Sequence, residues 1–130
     1  MTVLVGFVPN PIGEAALTAA VAEARRRGEA LLVVNMSRDD VLVDAHRAGV
    51  EQLERVRRDL ADLDLDFEVR QVEHGSDASD VLLEIAEQED VSVIVIGLRH
   101  RSPVGKLLMG SAAQRILLDA TCPVLAVKAA

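Results

Sequence analysis

Three short runs of aliphatic residues constrain the fold more than any other feature of this sequence. They are Val3–Val8, Leu31–Met36 and Val91–Ile96, and turn-forming or polar residues follow each of them. Short apolar runs between turn signals indicate buried strands. Strands that are apolar on both faces are typical of a parallel sheet covered by helices on both sides. With two Phe and no Tyr or Trp in the chain, the core must be aliphatic.

Helical patterns separate these runs, so that strand and helix alternate along the chain. We expect helices over about 13–27, 40–63 and 111–119, further strands over 65–69 and 124–127, and a loop over 97–109. A further helix carries Val81, Leu82, Ile85 and Ala86, with Asp77 or Ser79 as its N-cap. Leu65, Phe67 and Val69 alternate with polar residues, which places that strand at a sheet edge with one wet face. The sequence therefore predicts one domain over residues 1–130. It is an α/β fold with a single doubly wound, five-stranded parallel sheet of order 3-2-1-4-5 and helices on both faces.

Charge and composition exclude several classes of function. The formal net charge is −7, which disfavours duplex nucleic acid as the main partner because phosphate binding needs many cations. No apolar run approaches membrane length, so we expect no membrane span and a cytoplasmic location. The single cysteine, Cys122, excludes an intrachain disulfide, and we interpret it as a buried thiol without a redox role.

The predicted strand order also predicts where a ligand would bind. Ligands of open parallel sheets bind beyond the carboxyl ends of the strands where the strand order reverses, which here lies between strands one and four. The two segments at that point are 8–13 and 97–111. The second is rich in glycine and cations, with Gly97, Arg99, His100, Arg101, Lys106, Gly110 and Ser111. A helix that begins at Ser111 would offer its first amides to an anion. Ordinary helix capping and a solvated turn explain the same residues equally well.

At this point the residues resemble a known family. The stretch from Val93 to Lys128, VIVIGLRHRSPVGKLLMGSAAQRILLDATCPVLAVK, is similar to the C-terminal signature of universal stress proteins. The ATP-binding subgroup of that family carries G-x2-G-x9-G followed by Ser or Thr, and Gly97, Gly110 and Ser111 match its first glycine, third glycine and hydroxyl. Two positions depart from the pattern, because His100 replaces the second glycine and Val8 replaces an Asp at the end of the first strand.

The resemblance implies an adenine nucleotide alpha hydrolase-like fold and a regulatory role in the stress response. It implies a site for ATP or another adenine nucleotide, such as AMP or a cyclic nucleotide, formed by Val8, Met36, Gly97, Arg99, His100, Ser102, Gly110 and Ser111. It also implies a homodimer through the last strand, Val124–Val127, and a protein partner that the sequence does not identify. The alternative is a dimeric interaction module that binds no nucleotide, having lost the site through Val8 and His100.

The residues themselves give no sign of a catalytic centre. His46, His74 and His100 lie in separate segments without metal-ligand spacing, and no Ser follows a nucleophile-elbow pattern. We therefore expect a binding protein rather than an enzyme. Slow nucleotide hydrolysis stays open, although nothing in the sequence selects a base for it.

Overall fold

Five parallel strands form the sheet of the computed structural model, in the order β3-β2-β1-β4-β5. The structure describes residues 1–36, 43–72, 76–98 and 110–128. The elements are β1 (Thr2–Phe7), α1 (Pro11–Arg27), β2 (Ala30–Asn35), α2 (Val43–Ala61), β3 (Phe67–Gln71), α3 (Ala78–Gln88), β4 (Val91–Leu98), α4 (Ser111–Asp119) and β5 (Val124–Lys128). The fold and strand order expected from the sequence are confirmed.

Alternating side chains of the central strands fill two apolar clusters, one on each face of the sheet. The first cluster lies on the side of α1 and α2 and includes Val3, Val5, Phe7, Ala16, Ala20, Leu31, Val33, Leu53, Val56, Val93 and Val95. The second cluster lies on the side of α3 and α4 and includes Leu4, Leu32, Val34, Leu82, Ala86, Ile94, Ile96 and Ile116. Because successive strand residues point to opposite faces, an uninterrupted apolar strand supplies both clusters at once.

Several boundaries differ from the expected ones by a few residues, each for a local reason. α1 begins at Pro11 rather than near Gly13, because Asn10 caps it and proline fits the first helical position. The helix ends at Gly28, as expected, which adopts a left-handed conformation with φ of 67°. β4 continues through Gly97 to Leu98, since both residues pair with β5, so these two residues do not belong to the expected loop, and the rest of that loop, residues 99–109, lies outside the described residues.

The two edge strands differ in character. β3 carries Glu68, Arg70 and Gln71, and Arg70 bonds to Glu68 and to Glu89 at the end of α3. β5 is apolar from Val124 to Val127, with Leu125 38% exposed. Within the described ranges, no helix has the length and apolar character needed to cross a membrane. The extent of the domain, residues 1–130, stays a prediction.

Candidate functional site

All four helices follow a strand and begin at the edge where the parallel strands end, which we call the carboxyl edge. In a parallel sheet each connecting helix runs back against the strands, so α1, α3 and α4 all present their first turns at this edge. The strand order reverses between β1 and β4, which are neighbours in the middle of the sheet. A ligand at that point lies near the first turns of α1 and α4.

Among the residues that the structure describes, no side chain caps the first turn of α4. Its N-cap is Gly110, with φ of −63° and ψ of 156°, an extended conformation that any residue adopts. A Cβ at Gly110 would meet no described atom within 4 Å. The first turn contains no acidic residue, and Ser111 is exposed at its start. Among the described residues, nothing therefore competes with an anion for the amides of this helix start.

The first turn of α1 is closed. The Asn10 side chain accepts a hydrogen bond from the amide of Gly13 at 2.9 Å. Glu14 adds a negative charge in the same turn, and its carboxylate accepts from Gln52 at 2.6 Å and from Arg55 on α2. An anion at this helix start would displace the cap and meet a carboxylate, so α1 is a poor phosphate site.

The first turn of α3 is closed as well. Asp77 is its N-cap, accepting from the amide of Asp80 at 3.1 Å and from the Ser79 hydroxyl at 2.5 Å. The hydrogen bond from Ser79 is the main reason that the pKa of Asp77 lies below its ordinary value. Arg115 of α4 pairs with Asp80 and lies 3.8 Å from Asp77, which ties α4 to the start of α3.

Gly97 has a packing role that its sequence context does not reveal. A Cβ on this glycine would lie 2.5 Å from both the Cγ2 atom and the carbonyl oxygen of Ile12. The first turn of α1 therefore rests directly on the backbone of β4. The missing side chain is accounted for by this contact with α1, without any ligand.

Val8 directly follows β1 and Met36 directly follows β2, both at the carboxyl edge. The carbonyl of Val8 already accepts a hydrogen bond from the amide of Asn10 at 2.8 Å, and Gly13 packs against the backbone of Val8. This leaves Val8 little free backbone for a ligand. Met36 directly follows β2, and its amide donates to the carbonyl of Phe7 at 2.7 Å. Its side chain packs on the second cluster.

Three of the expected site residues, Arg99, His100 and Ser102, lie outside the described residues, as do Arg101 and Lys106. The structure thus brings Val8, Met36, Gly97, Gly110 and Ser111 to one edge of the sheet. It also adds two residues that the sequence reasoning missed. One is Asn10, which closes α1. The other is Gly6, where a Cβ would lie 2.5 Å from the sulfur of Met36, and its signal was a glycine inside an apolar strand.

The described residues show no sign of metal chemistry or of a reactive thiol. In the ranges that the structure describes, no three His, Cys, Asp or Glu side chains are grouped so that they could hold a metal ion. Cys122 is half-buried against the second cluster, and burial raises the pKa of its thiol. A raised thiol pKa lowers the thiolate population at neutral pH.

The strand order makes this protein an open, doubly wound α/β protein, a class in which ligands bind beyond the carboxyl ends of the strands where the strand order reverses. The chain belongs to the universal stress protein family, since its residues 1–128 match the sequence profile of that family. It is 45% identical over 126 residues to a universal stress protein of Mycolicibacterium smegmatis, a match that covers 97% of this chain and 96% of the relative.

Solved structures of the same family share the fold. A universal stress protein from Archaeoglobus fulgidus is 29% identical, with a TM-score of 0.80 and 98% of each chain covered. Another structure from that organism, a complex with dAMP, is 21% identical with a TM-score of 0.70 and the same coverage of both chains. A universal stress protein in complex with cAMP is 22% identical with a TM-score of 0.69, over 100% of this chain and 98% of that one.

Proposed function

We propose that this universal stress protein binds an adenine nucleotide, ATP or an AMP-type ligand, at the carboxyl edge between β1 and β4. The phosphates bind at the first turn of α4, at Gly110 and Ser111, and the base lies toward Met36. Binding regulates the protein in the stress response. Arg99, His100 and Ser102, which lie in the segment between β4 and α4, add positive charge and hydrogen-bond donors in this proposal.

The observation that carries the proposal is the uncapped start of α4. The starts of α1 and α3 are each closed by a side chain, Asn10 and Asp77, and each has an acidic residue in its first turn. The start of α4 has neither feature within the described residues, and it lies beside β4, where the strand order reverses. The complexes of related proteins with dAMP and cAMP support an adenine nucleotide as the ligand.

Calorimetry of the purified protein with ATP, AMP and cyclic AMP tests the proposal, after native mass spectrometry has checked for retained nucleotide. We expect binding of at least one of the three ligands. Gly110→Asp should lower its affinity by more than about a hundredfold, because a carboxylate would cap the helix and repel phosphate.

Gly110→Ala is the matched control, because a Cβ at this position meets no described atom within 4 Å. It should keep most of the affinity. Val8→Asp, which restores the polar residue of the family pattern, should strengthen binding. No retained nucleotide and no heat with any of the three ligands would contradict the proposal and favour a module that binds no nucleotide.

We infer that the protein acts by binding rather than by catalysis, and that it acts in the cytoplasm. The support is the sequence, in which no nucleophile, base and orienting group share a motif. Phosphate release from ATP well above that of a Ser111→Ala variant would overturn the first part of this inference.

We also infer a homodimer through β5. This strand lies at the sheet edge, and its residues from Val124 to Val127 are apolar, whereas β3 protects the opposite edge with charged side chains. An apolar edge strand favours pairing with a second chain. A second copy paired along β5 would cover Leu125.

Light scattering of the purified protein tests the dimer. The wild type should have twice the mass of the 14.0 kDa chain. Leu125→Lys places a charge on the edge and should shift the population to monomer, while Glu68→Lys on β3 should leave it dimeric. A monomeric wild type would contradict the inference.

A further inference from the structure

Arg115 is the one cation of α4, and its guanidinium group lies among three carboxylates. It pairs with Asp80, lies 3.8 Å from Asp77, and lies 3.7 Å from Asp119 on its own helix. The Arg115 side chain is 46% exposed, and the closest of the three acids, Asp80, is 52% exposed. Ion pairs that are this exposed to water stabilise a fold only slightly. A more strongly charged anion nearby can therefore compete for the guanidinium group.

The guanidinium group of Arg115 points toward the edge at which α4 begins. Arg115 follows Ser111 by four residues, so the two share one face of the helix, about one turn apart. Long side chains on a helix lean toward its N-terminus. The ion pairs agree with that direction, because Asp77 is the N-cap of α3, Asp80 lies in its first turn, and α3 begins at the same carboxyl edge as α4. The flexible side chain can therefore reach a phosphate bound at Ser111.

The two acids at the start of α3 have other sources of stabilisation than Arg115. Asp77 accepts hydrogen bonds from the Ser79 hydroxyl and from the Asp80 amide. Both carboxylates also lie at the positive end of the α3 dipole. A phosphate group carries more charge than one carboxylate, and its oxygens fit the planar fork of a guanidinium group. Moving Arg115 from α3 to a phosphate thus replaces a weak ion pair with a stronger one.

From this arrangement we propose that Arg115 is a phosphate ligand held in reserve by α3, and that a bound nucleotide draws its guanidinium group away from Asp80. The inference rests on the proposed function, and it adds a residue to that site and a consequence to binding. When Arg115 moves, its bridge between α3 and α4 opens, and Asp77 and Asp80 lose that cation. The surface charge at the start of α3 then depends on whether a nucleotide is bound.

Calorimetry tests this exchange, with whichever of ATP, AMP and cyclic AMP the wild type binds most tightly. Arg115→Gln should weaken binding about tenfold, and Arg115→Lys, which keeps the charge without the fork, about threefold. Asp80→Asn should strengthen binding about threefold, because it frees Arg115 for the phosphate. If Arg115 only held α4 against α3, Asp80→Asn would weaken binding, as Arg115→Gln does.

Glu84→Gln is the matched control for charge. It removes one negative charge from the exposed side of α3, but the Glu84 carboxylate accepts a hydrogen bond from Gln88 one turn further along the helix. Its affinity should stay within about twofold of the wild type, since the charge is exposed and screened. The double variant Asp80→Asn, Arg115→Gln should bind no more tightly than Arg115→Gln alone, because the two changes act through one contact.

Thermal unfolding of each variant shows whether it is folded at the temperature of the calorimetry. Binding by Asp80→Asn that is no tighter than that of the wild type would overturn the role of Arg115 and leave the nucleotide site in place. The same conclusion would follow if Asp80→Asn strengthened binding equally with and without Arg115→Gln. A wild type that binds none of the three nucleotides would overturn the proposed function and this inference together.

Discussion

The starts of α1 and α4 lie at the same edge of the same sheet, yet they are built in opposite ways. At α1, Asn10 caps the helix, Gly13 packs against the backbone of Val8, and Glu14 adds a negative charge. At α4, the N-cap is Gly110, where a Cβ would meet no described atom within 4 Å, and the first turn has no acidic residue. Both helices direct the positive end of their dipole toward this edge, but Pro11 removes one first-turn amide from α1, where α4 keeps all of its own.

The difference teaches that a glycine can stand at a helix start for two separate reasons. Position 13 requires glycine because the chain turns tightly from β1 into α1 and leaves no room for a side chain. Gly110 has an ordinary backbone conformation and open space among the described residues, so neither strain nor packing there requires a glycine. The ligand proposed above, bound at the amides of α4, would supply a reason that the described residues do not. The two sites can be tested against each other by exchanging their features.

The largest expected difference in stability between the two helix starts comes from replacing the glycine in each of them with alanine. In Gly13→Ala the Cβ would lie 1.8 Å from the carbonyl oxygen of Val8, so the backbone must shift. We expect a loss of about 3 kcal/mol in the free energy of unfolding. Gly110→Ala should lose only about 0.5 kcal/mol, the difference between glycine and alanine at an N-cap. Urea denaturation measures both, and equal losses in the two variants would remove the distinction between the helix starts.

The sequence predicted the fold well because the pattern of apolar residues follows from the burial of each strand. The strand order, the wet edge at β3 and the end of α1 at Gly28 were all predicted. The errors lie at boundaries such as the start of α1 at Pro11 and the extension of β4 to Leu98. These depend on capping and strand pairing, which a periodic pattern does not encode.

The candidate site was less predictable, because its geometry depends on contacts between distant segments. Gly97 was expected to form part of the ligand site, but Ile12 occupies the space beside it, and no spacing in the sequence relates the two residues. The contact between Gly6 and Met36 joins two strands in the same way. What the sequence did provide was Gly110 and Ser111 at the start of a helix, a purely local pattern.

Removing the cap of α1 and adding a cap to α4 should change the stability by intermediate amounts. The first change should destabilise the protein and the second should stabilise it. Asn10→Ala removes the bond to Gly13 and should cost about 1 kcal/mol of stability. Gly110→Asn gives α4 the cap that α1 has, and should add a few tenths of a kcal/mol. The new cap competes with phosphate, so nucleotide affinity should fall, but by less than in Gly110→Asp, which adds charge. Unfolding and calorimetry on the same samples check this, and stronger nucleotide binding by Gly110→Asn would contradict it.

The smallest expected effect is on pH dependence, and it extends the comparison to α3, whose cap is ionisable. The hydrogen bond from Ser79 and that from the Asp80 amide hold the pKa of Asp77 below its ordinary value of 3.8. A carboxyl group with a lowered pKa in the folded state stabilises the protein above its ordinary pKa, and this contribution is lost as the pH falls through the folded-state pKa.

Asp77→Asn keeps an acceptor for the cap but does not titrate. Between about pH 5 and pH 3, the wild type should therefore lose more stability than Asp77→Asn, by a small amount because Asp77 is exposed. Denaturant unfolding at a series of pH values measures the difference, and parallel curves for the two proteins would show that the α3 cap does not depend on charge. Because the N-cap of α4 is a glycine and does not titrate, the stability of Gly110→Ala should run parallel to that of the wild type throughout this range, about 0.5 kcal/mol lower.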